Sequence, residues 1–185
     1  MAIWPTPVKR LLLSLIILSS FLFPLSSYSL TIEGKVVSVH DGDTITVEVS
    51  NGQVYKIRLL GIDTPELAQG KWGYMAKDYL SELILDKSVV VATDENAPEY
   101  DKYHRILGYI RLTDRDSTLV NLLLLKYGYA YRFKDEHIIE HDDFISAENT
   151  AKSASMGVWS DPTLQIPAQY RKEHKNNNNQ NSKAN

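Results

Sequence analysis

The clearest pattern in the chain is a strict alternation at Thr44–Val49, where Ile45, Val47 and Val49 fall on one face and Thr44, Thr46 and Glu48 on the other. That period of two predicts a half-buried strand. Gln53–Leu60 repeats it, with Tyr55, Ile57 and Leu59 on one side and Lys56 and Arg58 on the other. Asn51-Gly52 between them predicts a two-residue hairpin. Leu30–Val39, Ser88–Ala92 and Arg105–Leu112 read as three further strands, and Tyr129–Phe133 as a short extended piece. The spacing of Ala76, Tyr79, Leu80, Leu83 and Ile84 predicts a helix over Tyr74–Leu85. Val120–Tyr127 is apolar nearly all round, which predicts a buried helix stopped by Gly128. Phe144, Ala147, Ala151 and Ala154 place a third helix at Asp135–Ser155.

Five strands, one helix among them and two more behind predict an α+β fold. A five-stranded oligonucleotide-binding (OB-fold) barrel with three α-helices fits that order. The domain is expected to occupy residues 30–170. The stretch 171–185 is Asn-rich and is predicted to be a disordered tail.

The first 29 residues follow a different pattern. Lys9 and Arg10 precede an apolar run, Leu11–Phe23, and the small-residue sequence Ser27-Tyr28-Ser29 follows. This is the layout of a secretory signal peptide, cleaved after Ser29, which predicts a secreted or periplasmic protein without stable membrane association. The run is shorter than the ~20 residues a membrane span needs. Cysteine is absent, so neither disulfides nor a lipidated cysteine is available. Without Lys9 and Arg10 the chain keeps 18 basic residues against 23 acidic, a net charge of −5. Such a balance argues against non-specific nucleic-acid binding by the whole surface, although a local positive cleft is compatible with it.

Three polar stretches carry candidate chemistry. Asp41-Gly42-Asp43-Thr44 puts two carboxylates at a strand entrance. Asp63-Thr64-Pro65-Glu66 puts two more on a loop stiffened by Pro65. If the second and third strands pair through Asn51-Gly52, Asp43 comes close to Asp63. Two carboxylates, a backbone carbonyl and water suit a hard cation such as Ca²⁺. Without a cation they would repel, and one would tend to hold its proton. Asp101-Lys102-Tyr103-His104-Arg105 then enters the last strand. Arg58 and Arg105 offer paired donors matched to phosphate oxygens. Each stretch alone is compatible with a charged turn; together they point to phosphodiester cleavage. His137 and His141 are one turn apart and are read as a surface helix face, and Lys71-Trp72 as a packing tryptophan with its neighbour.

These stretches, in this order and spacing, resemble the thermonuclease (staphylococcal nuclease-like) family, as do Val120-Asn121-Leu122, Gly128-Tyr129-Ala130 and Gly157-Val158-Trp159-Ser160. The resemblance runs over about Ile32–Trp159. It implies the OB barrel with three helices and a Ca²⁺-dependent nuclease acting on DNA and RNA, exported and monomeric, that leaves 3′-phosphate ends. It also implies roles. Asp43 and Asp63 would ligate Ca²⁺ through carboxylates and Thr64 through its carbonyl. Glu66 would orient or deprotonate the attacking water, while Arg58 and Arg105 would bind the phosphate. Lys102, Tyr103 and Tyr131 would contact substrate. The chain departs from the family pattern in three places. His104 stands where glycine is usual, Phe133 where some members have tyrosine, and the Leu67–Gly73 loop is short. The rival class is the same barrel used as a non-catalytic module that binds oligonucleotide or protein.

Overall fold

The computed structural model describes residues 30–113, 118–133 and 142–181. The leader read at 1–29 and the His137/His141 pair lie outside these residues. Strands β1 (Thr31–Val39), β2 (Thr44–Glu48), β3 (Val54–Leu59), β5 (Ser88–Ala92) and β6 (Ile106–Leu112) close into a barrel in the order β1-β2-β3-β6-β5. All pairings are antiparallel except β3 with β6, where Ile57 faces Ile106 and Leu59 faces Gly108. Two short strands, β4 (Ile62–Asp63) and β7 (Tyr131–Arg132), pair outside it. The inward residues of the alternating strands, among them Val36, Ile45, Val47, Ile57, Val89 and Ile110, are completely buried.

The β2–β3 connection differs in detail from the expected two-residue turn. Val49 N–H donates to the Gln53 carbonyl (2.9 Å) and Gly52 N–H to the Val49 carbonyl (2.9 Å). Ser50, Asn51 and Gly52 therefore form a three-residue loop with Gly52 at φ +82°, the form in which a type I turn ends on a left-handed residue. The extra residue shifts the register by one from what a two-residue turn would give, and so sets Ile45 opposite Ile57 and Thr44 opposite Arg58.

Among the described residues there are four helices rather than three: α1 (Lys71–Ile84), α2 (Val120–Lys126), α3 (Asp142–Ser153) and α4 (Pro167–Asn181). α1 begins three residues before the expected start. Gly73 disguises its first turn, but a Cβ there would lie 2.2 Å from the Glu66 carbonyl oxygen. Glycine is what lets the helix back onto the Glu66–Leu67 backbone. Trp72 is buried and donates from Nε1 to Asp161 (3.1 Å), the packing role expected of it.

α4 corrects the expected tail. Residues 171–181, read as disordered from their polar composition, continue a helix that starts at Pro167. Proline suits the first turn, where its missing N–H costs nothing. The anchor that composition does not show is Arg171, whose guanidinium reaches the barrel. Among the described residues no helix is long and apolar enough to cross a membrane.

α2 is buried at Val120, Asn121, Leu124 and Leu125. Asn121 is its one buried polar side chain, and the amide is fully used. It donates to the carbonyls of Leu60 (2.9 Å) and Gly108 (3.3 Å) and accepts from Ile110 N–H (2.9 Å). A single side chain thus fixes the loop after β3 to β6 and to α2. A buried amide satisfied in this way holds geometry that apolar packing alone would leave loose.

Candidate active site

The acidic and basic candidates converge at one end of the barrel because Thr44 pairs with Arg58, so the start of β2 lies beside the end of β3. Beyond Arg58 the chain bends at Gly61, where φ is +75°, and β4 brings Asp63 back. Arg58 is the hub. Its Nη2 lies 3.0 Å from Asp43 Oδ2 and 3.0 Å from Asp63 Oδ1. Its Nη1 donates to the carbonyls of Leu59 (2.7 Å) and Ile62 (2.8 Å). The same guanidinium that bridges the acids therefore ties the loop that carries one of them.

Asp43 is buried, and its other partners are on the acidic loop. Oδ2 accepts from Thr64 N–H (3.0 Å) and Thr64 Oγ1–H (3.0 Å), and Oδ1 from Thr44 Oγ1–H (3.2 Å). Asp63, also buried, has a carboxyl pushed above the usual range by burial, with Arg58 and Arg171 pulling the other way. Asp41 accepts from Asp43 N–H (3.0 Å). Burial, and next the Asp43 charge, push its carboxyl to about 6. This is the repulsion expected of crowded acids.

Arg105 arrives from the other strand of the parallel pair. Asp101 shapes its approach: Oδ1 accepts from the N–H groups of Tyr103 (2.8 Å) and Arg105 (3.0 Å), and Oδ2 accepts from Arg105 Nε (2.7 Å). Burial pushes the Asp101 carboxyl up, but these donors together outweigh it and hold the group below its ordinary value. Arg105 Nη1 then donates to Thr44 Oγ1 (3.1 Å), which itself donates to Asp43. Both arginines thus end on Asp43, one directly and one through a hydroxyl. His104 does adopt the left-handed conformation, φ +58°. The strain leaves the aim of Arg105 intact because the Asp101 carboxylate pins both ends of the turn.

Glu66 is part-exposed, caps the short turn Leu67–Gln69, and accepts from Arg171 Nη1 at 2.7 Å. Lys102 and Tyr103 are exposed on the wall of a cleft of about 1470 Å³, which Asp43, Arg58, Thr64, Glu66, Arg105 and Phe133 also line. Tyr131 is corrected. It is buried against Trp72, Val158 and Trp159, with the Trp159 ring edge-on at 4.9 Å, and burial pushes its hydroxyl to about 12. In a two-residue strand one position of alternation decides the face, and Tyr131 takes the inner one.

Two functional-looking residues escape a sequence reading. Glu148, buried on α3, accepts from Arg132 N–H (2.9 Å) and Lys152 Nζ (2.9 Å) and so fixes β7 behind Asp63. Arg171, from the supposed tail, donates to Asp63 Oδ1 (3.0 Å) and Oδ2 (2.8 Å) as well as to Glu66. Arg171 opens the charged run Arg171-Lys172-Glu173-His174-Lys175, and nothing in that run singles it out.

The donor set fits a hard divalent cation. Asp43 and Asp63 meet at a single Arg58 nitrogen, so their oxygens already surround one cationic point. Thr64 and Glu66 add further oxygens beside it. Among the described residues no three His, Asp or Glu side chains form a cage of their own. Two carboxylates completed by carbonyl and water would make a modest-affinity site, since ligand charge count sets affinity.

The family model described as "Staphylococcal nuclease homologue" matches residues 56–161. An uncharacterized endonuclease of Haemophilus influenzae is 31% identical over 170 residues, covering 91% of this chain and 88% of that protein. A micrococcal nuclease of Shigella flexneri is 32% identical over 152 residues, 79% and 84% of the two chains. An uncharacterized protein of Methanocaldococcus jannaschii is 38% identical over 149 residues, 69% and 71%. With the closed barrel and the converging acids and arginines, these matches establish that the chain belongs to the staphylococcal nuclease-like family.

Proposed function

We propose that this protein is a Ca²⁺-dependent nuclease that hydrolyses DNA and RNA with little sequence preference and leaves 3′-phosphate ends. The observation that carries the reading is the meeting of Asp43, Asp63, Arg58 and Arg105 at one end of the barrel. Nuclease names among the relatives support the same reaction class. Asp43 and Asp63 through their carboxylates, with Thr64 through its backbone carbonyl, would hold the cation. When bound, it supplies positive charge against the phosphate and makes a nearby water more acidic. Arg58 and Arg105 present guanidinium donors to the phosphate oxygens, so charge gathering there is stabilised by groups already in position. Glu66, on the cleft rim, orients a water and takes up its proton. Lys102 attracts the backbone of the substrate and Tyr103 offers a face for a base. We further propose that the chain is exported by the leader at 1–29. N-terminal sequencing of the mature protein would show Leu30 first.

The test is degradation of single-stranded DNA and of RNA by the purified protein, in Ca²⁺ and then in chelator. Cleavage in Ca²⁺ that stops in chelator, with phosphate on the 3′ ends, is the expected result. Equal cleavage in both, or binding without cleavage, would overturn the proposal.

A further inference from the structure

Arg58 and Arg171 share one buried carboxylate, yet they are built differently. Arg58 is 13% exposed in its side chain and is held by two backbone carbonyls in addition to its acids. It belongs to the fold. Arg171 is 42% exposed, and its guanidinium contacts are Asp63 and Glu66. The helix that carries it has little else against the body: Pro167 is buried, Tyr170 is half-buried, and residues 171–175 are exposed.

The lone pairs of Asp63 are largely occupied. Oδ1 accepts from Arg58 Nη2 and from Arg171 Nη1, and Oδ2 accepts from Arg171 Nη2. A carboxylate oxygen accepts about two donors in its plane. Only one acceptor position, on Oδ2, is left, and a cation that approaches it meets the positive charge of the two guanidiniums already there, so its binding is opposed while both remain. Arg58 cannot leave without loosening the loop. Arg171 can turn out to solvent on its exposed side.

We propose that Arg171 is a positioning residue of this site. It neutralises Asp63 and Glu66 while no divalent cation is present and is displaced when one binds, so that the C-terminal helix sets the cation affinity. This rests on the divalent-cation reading above. The arm also holds Glu66, so cation entry and release of the water-orienting carboxylate are one event. Tethered to the chain, the guanidinium competes at a high effective concentration, and the apparent affinity is the intrinsic one multiplied by the fraction of time the arm is away.

The experiment is calorimetric titration of the full chain with Ca²⁺, comparing the unaltered protein with Arg171→Ala, Arg171→Lys and Lys172→Ala. Thermal unfolding of each is followed in chelator and in saturating Ca²⁺. Arg171→Ala is expected to bind Ca²⁺ about tenfold more tightly or better, the factor that corresponds to losing one competing charged hydrogen bond. Arg171→Lys falls between, because an ammonium cannot span both acids. Lys172→Ala removes a charge from the same helix and changes affinity far less. In chelator Arg171→Ala melts below the unaltered protein; in Ca²⁺ it does not. A merely structural role would weaken binding and lower both melting points. Equal or weaker Ca²⁺ binding by Arg171→Ala would overturn the inference alone. No Ca²⁺ binding by any of the four proteins would overturn the cation reading and the inference with it.

Discussion

Replacing Arg58 by alanine removes the charge on which two buried acids depend. Four contacts disappear: Asp43 and Asp63 at 3.0 Å each, and the carbonyls of Leu59 and Ile62 at 2.7 and 2.8 Å. Breaking a buried pair by removing one partner costs about 3–5 kcal/mol. The acids are not wholly orphaned, because Asp43 keeps the Thr64 and Thr44 donors and Asp63 keeps Arg171. That pulls the estimate towards about 3 kcal/mol, with the freed carbonyls adding about 1 kcal/mol. Urea unfolding followed by circular dichroism, in chelator at neutral pH, would measure it. On the proposed cation reading Ca²⁺ supplies the missing charge, and it should stabilise Arg58→Ala more than it stabilises the parent. Acidification should narrow the gap too. Asp63 already sits above its usual value, so the folded state binds the extra proton and loses stability as pH rises through that window. Without Arg58 the rise is steeper, and the variant recovers relative to the parent as pH falls. A loss in chelator below about 1 kcal/mol, the median worth of an exposed ion pair, would refute the account of Arg58 as the hub.

Glu66→Gln and Arg105→Ala should each lower turnover about 100-fold or more, by analogy with losing one charge-stabilising donor, and near-normal rates in steady-state assays would remove the assigned role. Glu148→Gln should destabilise the protein by about 1–3 kcal/mol at neutral pH. Although burial pushes Glu148 up, the Arg132 and Lys152 donors win and hold it below its ordinary 4.5. Its contribution is therefore present above that value and lost as pH falls through the lower folded one, so unfolding curves of the two proteins should converge as pH falls below 4.5. His104→Gly should relieve a left-handed residue worth about 1–2 kcal/mol at a backbone-entropy cost of about 0.5–1 kcal/mol. A net gain of up to about 1 kcal/mol in urea midpoint measurements is expected, and a loss would show that the His104 side chain holds the turn.

The barrel was legible because its strands alternate cleanly, and the turn signal at Asn51-Gly52 set the start of the second strand beside the end of the third. That arrangement is why the sequence already implies that Asp43 lies close to Asp63. The turn itself took one more residue than expected, since Val49 rather than Ser50 pairs with Gln53. What could not be read lies where no period exists. Tyr131 sits in a strand too short to show its own alternation. The start of α1 is hidden by Gly73, whose reason is a carbonyl from another segment. Arg171 is one charge among several in a polar stretch, and only tertiary contact distinguishes it. Asn121 carried a local signal, a lone amide in an apolar helix, but the sequence does not show which carbonyls it would meet.

Asn121 has a consequence for synthesis. The loop bearing the acids is complete once residue 66 has been made, but the amide that clamps its start at Leu60 arrives much later. A nascent chain released or cut before that point has the acids of the cluster and both arginines, yet the Leu60 carbonyl lacks its amide donor and only the Leu60 N–H bond to the Gly108 carbonyl (2.9 Å) ties the start of the loop to β6. Fragments ending short of α2 are therefore expected to lose the fixed geometry of the acidic loop, and the site to form only once α2 has been made.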